Sequence, residues 1–347
     1  MINVYVIGCG GIGGYLVNHL PMVISSLSLD LLEKAGENIS NRLQRAGTES
    51  LPCVVDRLVL IDGDTFNPRN SIRQGEGSGS KLVRRMRNLR NAIDKMLTEA
   101  ETAAKAIEIS KQLDSLPPGH ALLRQLEELE GTWNGFDQAD YDRLNREMVR
   151  VSFLRRMQLV GFNNYVNPDN LADIIPKQAP LNVENSNEAE SLQLKCLSGQ
   201  MQGREKASVV FLCVDNIQTR YDVFKYMEGF DDCLVVNGGN SKTTGHVTLY
   251  ERSAGKELDP PVYEVYPDIK PGVDKRPDEA ECTFVAPQHD QIAITNSIVA
   301  DVMMSRFVKW AKGGLFESEG KPTRYNDILI DTEKPSILPV FHPKSNQ

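Results

Sequence analysis

The stretch Leu58 to Gln74, LVLIDGDTFNPRNSIRQ, restricts the fold more than any other part of this chain. A continuous apolar run, Leu58 to Ile61, ends on two carboxylates, Asp62 and Asp64, and leads into a loop carrying Asn67, Asn70, Arg73 and Gln74. An unbroken apolar run bounded by polar turn residues is the pattern of a parallel strand covered on both faces. The carboxyl end of such a strand faces a ligand.

A second apolar run, Val4 to Ile7, meets Gly8, Gly10 and Gly13 in the G-x-G-x-x-G spacing, with Gly11 inside it, and a helical pattern starts at Tyr15. Glycine suits those places because the chain turns tightly, the backbone approaches a phosphate, and the helix packs close to the strand. The plainer alternative is a tight strand-to-helix turn and nothing more. A ribose-binding carboxylate usually follows the glycines by ~20 residues. Asp62 lies well beyond that, so an inserted helix is expected around Asp30 to Arg45, which counts against a nicotinamide-dependent dehydrogenase.

The 347 residues, 40% of them hydrophobic, suffice for one large core. A net charge of -8 and a pI near 5.3 argue against a general nucleic-acid binder, whose affinity rests on excess Lys and Arg. Small molecules or proteins are the expected partners. The six cysteines, Cys9, Cys53, Cys196, Cys213, Cys233 and Cys282, include no C-x-x-C pair, which suggests a reducing compartment and no structural zinc. No signal segment is evident, and no apolar run reaches the ~20 residues of a spanning helix, so a cytoplasmic location is expected.

Beyond Gln74, GEGSGS reads as a hinge by composition. Leu82, Met86, Leu89, Ile93, Met96, Ala100, Ala103 and Ile107 then recur at alternating steps of four and three, the spacing of a coiled-coil seam. With helical stretches at Ala121 to Glu130 and Tyr141 to Met157, they predict a helical hairpin inserted over 82–157, as padding or a dimer contact. Lys81, Arg84, Arg85, Arg87 and Arg90 open that helix, as a solvated face or as phosphate ligands. Gln158 to Phe162 resumes the sheet, and Pro168 would open a short helix. Glu184 to Gly203 reads as surface loop. A fully apolar strand, Val209 to Val214, again ends on an acid, Asp215, followed by Asn216 and a helix from Gln218. Cys233 to Tyr250 reads as two strands around a polar bend. Residues 251–289 form a crossover loop carrying Cys282, proline-rich from Pro260 to Pro277. A helix from Asp290 to Trp310 and two short strands joined by a turn at Glu333 to Pro335 complete the chain.

Taken in order, Asp62-Gly63-Asp64, Asn70 with Arg73-Gln74, Asp215-Asn216 with Thr219-Arg220, and Gly245-His246-Val247-Thr248 resemble the motifs of the ThiF/MoeB/ubiquitin-activating family of adenylating enzymes. The resemblance spans nearly the whole chain except 22–56 and 82–157. It implies a single Rossmann-like α/β domain over 1–347, with a doubly wound, mostly parallel sheet, an inserted helical hairpin and a C-terminal antiparallel portion. It also implies ATP and Mg2+ as cofactors, and adenylation of the C-terminal carboxylate of a small ubiquitin-like or sulfur-carrier-like protein by a homodimer.

Carried over by position, the resemblance assigns Asp62 to the ribose and Asn70 and Arg73 to the phosphates. Gly8, Gly10, Gly11, Gly13, Asp64, Gln74 and Asn216 line the nucleotide site, Lys81 holds the α-phosphate, and Asp215 binds Mg2+. Lys105, in AAKAIEISKQL, fits the family lysine as well as Lys81 does. Cys282 stands where some members form a thioester after adenylation, while others stop at the adenylate. Two family features are absent: the C-x-x-C pairs, and a segment before the first strand that supplies an arginine to the neighbouring subunit, a role left open to Arg84, Arg85 or Arg87. Compact prokaryotic or phage-type members carry a Gln and an Asn after the cysteine, as Gln291 and Asn296 do here. Two other functions fit the same motifs: adenylation of a non-protein carboxylate such as a tRNA-linked threonylcarbamoyl group, and an inactive nucleotide-binding scaffold acting through its helical insertion.

Overall fold

The computed structural model describes residues 2–34, 53–65, 79–111, 146, 150, 153–155, 157–177, 207–275, 293–312 and 325–343. Its centre is β1 (Ile2–Ile7), every residue of which is buried. Around it a nine-stranded sheet runs β3-β2-β1-β4-β5-β6-β8-β9, with β7 paired to β6. The strands β2 (Val55–Ile61), β3 (Gln158–Phe162), β4 (Ser208–Leu212) and β5 (Cys233–Asn240) are all parallel to β1. Val4 lies opposite both Leu58 and Val209, so the apolar runs read from the sequence stack at the middle of the sheet. The remaining strands, β6 (Thr244–Ser253), β7 (Lys256–Glu257), β8 (Asp327–Asp331) and β9 (Ser336–Val340), pair antiparallel. The fold is therefore Rossmann-like α/β, with a parallel portion followed by an antiparallel one.

Helices cover both faces. The face lined by Val4, Leu58, Leu60, Val209 and Phe211 lies under α1 (Gly11–Lys34), α2 (Lys81–Lys111) and α6 (Ala293–Ala311). The other, lined by Tyr5, Ile7, Val59, Val210 and Val235, lies under α3 (Leu171–Ile174), α4 (Ile217–Met227) and α5 (Val262–Val265). Phe211 meets Phe307 of α6 edge to face at 5.6 Å, and Phe224 of α4 meets Tyr250 at 5.8 Å. Such aromatic pairs lock each helix at one place on the sheet.

Several expectations are corrected. Residues 22–34 continue α1 without a break, so Asp30 belongs to the first helix and not to a separate inserted one; residues 35–52 lie outside the described residues. Pro21 and the serines hid this continuity. Ser25 Oγ and Ser28 Oγ donate to the carbonyls of Met22 and Ile24 at 3.0 and 2.8 Å, which lets both side chains be buried in an apolar helix. The apolar stretch Gly11–Leu31 is also longer than the sequence reading allowed, at 21 residues and a mean hydropathy of 1.2. It packs against α6 in the core. Over their first half the heptad-like residues of α2 pack on the sheet and on α1. Leu82 and Leu89 are buried, and Met86, Ile93 and Met96 pack against the same core, because a parallel β2–β3 pair needs a covering crossover. Pro168 lies in the turn before α3, which starts at Leu171. Residues 251–253 extend β6, and the proline-rich segment contains the turn of helix α5. Residues 121–130, most of 141–157, and 184–203 lie outside the described residues.

Candidate active site

The strand order reverses direction between β1 and β4, and the carboxyl ends flanking that point are where open α/β sheets bind ligands. Gly8 ends β1 with φ +88, and its N–H donates to the carbonyl of Ile61 at 2.9 Å, tying the loop to β2. A Cβ on Gly13 would lie 1.8 Å from the Gly8 carbonyl oxygen. The first turn of α1 therefore rests on the loop that precedes it, the close approach that the glycine spacing predicts. Gly10 accepts from Gly14 N at 2.9 Å, and Gly11 opens the helix.

The β2 end is a network of charges. Asp62 is 8% exposed and accepts from the amides of Cys9 at 2.6 Å and of Asp64 at 2.8 Å. Lys81, the first residue of α2 and 7% exposed, pairs with Asp64 at 2.8 Å, and its own N–H donates to the Asp64 carbonyl at 3.0 Å. The Tyr165 hydroxyl donates to the other Asp64 oxygen at 2.6 Å. These contacts drive the two carboxyls apart. Burial raises Asp62 above the ordinary carboxylate value, with the Lys81 ammonium opposing it. Asp64 is half-exposed, and its partial desolvation is outweighed by the Lys81 charge and the hydrogen bonds from Lys81 and Tyr165, which hold it below. Arg85 reaches the same loop from α2 and is 8% exposed, its Nε donating to the Cys9 carbonyl at 3.2 Å. Arg87 and Arg90 are exposed, so the basic group divides into buried and solvated members.

At the β4 end the arrangement differs. Asp215 is exposed, and Asn216 caps α4 by accepting from Thr219 N at 2.8 Å. The two oxygens of Asp274 accept from Ile217 N and Gln218 N, both at 2.8 Å. A carboxylate thus already occupies that helix N-terminus. Behind it Arg220, 7% exposed, donates to Asn237 and to the carbonyls of Val214 and Gly238.

The structure therefore brings Gly8, Gly10, Gly11, Gly13, Asp62, Asp64 and Lys81 to one place, with Asp215 and Asn216 across the switch point. Lys105 is exposed far along α2 from Lys81, roughly 36 Å at 1.5 Å per residue. Asn70, Arg73, Gln74, Gln291 and Cys282 lie outside the described residues. Burial pushes the Cys213 and Cys233 thiols up to about 12 and Cys53 up to about 11, and drives Cys9 well above its ordinary value. Burial thus favours the neutral thiol in all four. Among the described residues no group of three or more His, Cys, Asp or Glu side chains is placed to hold a metal ion by itself.

Tyr165 and Asp274 were missed in the sequence. Tyr165 follows β3 at its carboxyl end, so the rule that ligands gather there pointed to its loop. Asp274 carries no local signal, because its partners lie far back in the chain.

No family model matches the chain, and no curated protein matches it. Among solved structures it is similar to PaaA, at 11% identity and a TM-score of 0.41, over 97% of this chain and 63% of that one. It is also similar to E. coli MccB crystallised with ATP, at 14% identity and a TM-score of 0.41, over 97% and 63% of the two chains. The microcin C7 biosynthetic enzyme MccB in complex with N-formylated MccA is a third, at 13% identity and a TM-score of 0.39, over 97% and 64%. The chain thus spans less than two thirds of the length of these structures. At such distances the chemistry has to be argued from this chain's own residues.

Proposed function

We propose that this chain is an ATP-dependent adenylating enzyme acting on the C-terminal carboxylate of a small ubiquitin-like or sulfur-carrier-like protein. The observation that carries the reading is the grouping of Asp62, Asp64 and Lys81 beside the glycine loop. Asp62 already accepts two backbone amides and lies at the edge of the site, where its remaining lone pairs suit ribose hydroxyls. Lys81 is an ammonium held at the strand ends by one carboxylate, from which it turns to a phosphate.

The reaction joins an acceptor carboxylate oxygen to the α-phosphorus of ATP as the bond to the pyrophosphate oxygen breaks. No proton has to move, because the nucleophile is already ionised. The residues therefore act by position and charge. Amides of the loop from Gly8 to Gly13 and Lys81 offset the phosphate charge, and Asn70, Arg73 and Gln74 would add to them from the loop after β2. Asp215 fits a Mg2+ ligand: it is an exposed oxygen donor at a strand end, and Mg2+ commonly binds through one or two carboxylates plus substrate phosphates. That ion supplies charge neutralisation on the phosphates. Cys282 is the candidate to take the acyl group as a thioester after the adenylate forms. A cytoplasmic homodimer fits the same reading.

The test is pyrophosphate exchange into ATP with candidate small proteins, comparing wild type with Asp215→Ala and Cys282→Ala. Exchange that requires a protein acceptor, is lost in Asp215→Ala and is kept in Cys282→Ala supports the reading. ATP binding without exchange under any acceptor replaces it with a nucleotide-binding scaffold.

A further inference from the structure

Gly11 lies outside the G-x-G-x-x-G positions, and its φ is not in the left-handed region. What its missing side chain accommodates comes from the far end of the sequence. A Cβ at position 11 would lie 2.7 Å from Asn296 Nδ2, closer than side chains approach, and 3.1 Å from Asn296 Cγ. Asn296 stands near the start of α6 and is 1% exposed. Asn240, the last residue of β5, donates from Nδ2 to Asn296 Oδ1 at 2.7 Å and reaches the Ser241 carbonyl at 3.4 Å. That pair of contacts fixes both amides: Asn296 Oδ1 is engaged, and its NH2 group is turned to Gly11. Among the described residues none supplies an acceptor for that NH2.

An amide donor that no described side chain or carbonyl accepts from is available to a group that arrives. Next to it begin the amides of α1, where helix N-termini attract anions. We infer that Asn296 is a nucleotide-contacting residue: its carboxamide NH2 donates to polyphosphate oxygens held at the first turn of α1, and Asn240 is the positioning residue that aims it. Gly11 is glycine so that this amide can reach the phosphate side of the loop. The inference rests on the reading of the glycine loop as a phosphate site, and it makes Asn296 specific for phosphate over nucleoside.

Calorimetric titration of the full chain with ATP and with adenosine tests it, using wild type, Asn296→Ala, Asn296→Asp and Asn240→Ala. One hydrogen bond to a charged group predicts ATP binding weakened about 10- to 100-fold in Asn296→Ala. Asn296→Asp loses more, by like-charge repulsion, and Asn240→Ala loses less; adenosine binding stays within two-fold throughout, by the same reasoning. ATP affinity unchanged in the Asn296 variants overturns the inference. So does an equal loss for ATP and adenosine, which is what damage to the loop alone would give. If the Asn296 variants fail to fold, Asn240→Ala decides, and unchanged ATP affinity there overturns it. Wild type that binds neither ATP nor adenosine fails the functional reading itself, a result distinct from all of these.

Discussion

The two portions of the sheet bury titratable groups in opposite ways. In the parallel portion, Asp62, Asp64 and Lys81 gather at strand ends where the loops diverge, held by backbone amides and by one another at the edge of the site. In the antiparallel portion, the Tyr266 hydroxyl donates to Asp327 Oδ2, which also meets His342 Nε2 at 3.1 Å. The His246 ring lies 5.9 Å from that tyrosine. Parallel strands all end on the same side, so their charged termini converge and remain open to a ligand. Hairpins tie strand ends together, so Tyr266 and His342 share one oxygen of Asp327, while Asp327 Oδ1 is buried without a partner among the described residues. The first arrangement leaves charged groups where a ligand can reach them, and the second encloses them.

Four substitutions and one control separate the two. Lys81→Ala, which removes a donor at a developing charge, is expected to lower pyrophosphate exchange by about 10²- to 10³-fold, or ~3–4 kcal/mol, with a smaller loss of stability from unpairing Asp64. Lys105→Ala, the control, should stay within about two-fold. A thermal effect in place of a kinetic one for Lys81→Ala would erase the contrast.

His246 carries the next largest effect. Burial, and then the Arg220 charge, lower its pKa from 6.5 to about 4. Between those values the unfolded chain binds a proton that the folded chain does not, so stability falls as pH drops through the window, by about 3 kcal/mol in all. In His246→Gln that part of the acid limb should flatten in denaturant titrations at pH 7, 5.5 and 4. An identical slope in both proteins would move the acid sensitivity elsewhere.

Asp327→Ala leaves the Tyr266 hydroxyl without its acceptor, for a loss of about 2 kcal/mol in chemical denaturation with exchange largely kept. Asp274→Ala is the smallest test. It uncaps α4, with an expected cost of about 1 kcal/mol. A change in ATP affinity larger than that would show that the cap also shapes the site around Asp215.

Much of the parallel portion was legible because each strand is a short apolar run with a marked end. Leu58–Ile61 stops at Asp62, Val4–Ile7 stops at Gly8, and the run before Asp215 stops within two residues of its expected end. The antiparallel portion was legible through its turns, Ser241 to Thr243 between β5 and β6 and Thr332 to Pro335 between β8 and β9. What the sequence concealed depends on tertiary contact. The extent of α1 was masked by Pro21 and by serines whose hydroxyls bond within the helix. The burial of Arg85 against the loop, the cap from Asp274 and the amide pair Asn240–Asn296 join residues far apart in the chain. No local pattern encodes such pairs.

The proposed reaction is transfer of an adenylyl group at the β2 end of the sheet. It is tested most directly by incubating the protein and an acceptor small protein with ATP labelled at either the α- or the γ-phosphorus. Adenylyl transfer gives label on the acceptor from the α position only, release of the γ label as pyrophosphate, and loss of both in Lys81→Ala. Acceptor labelled from the γ position, or γ label released as orthophosphate with ADP formed, would contradict it.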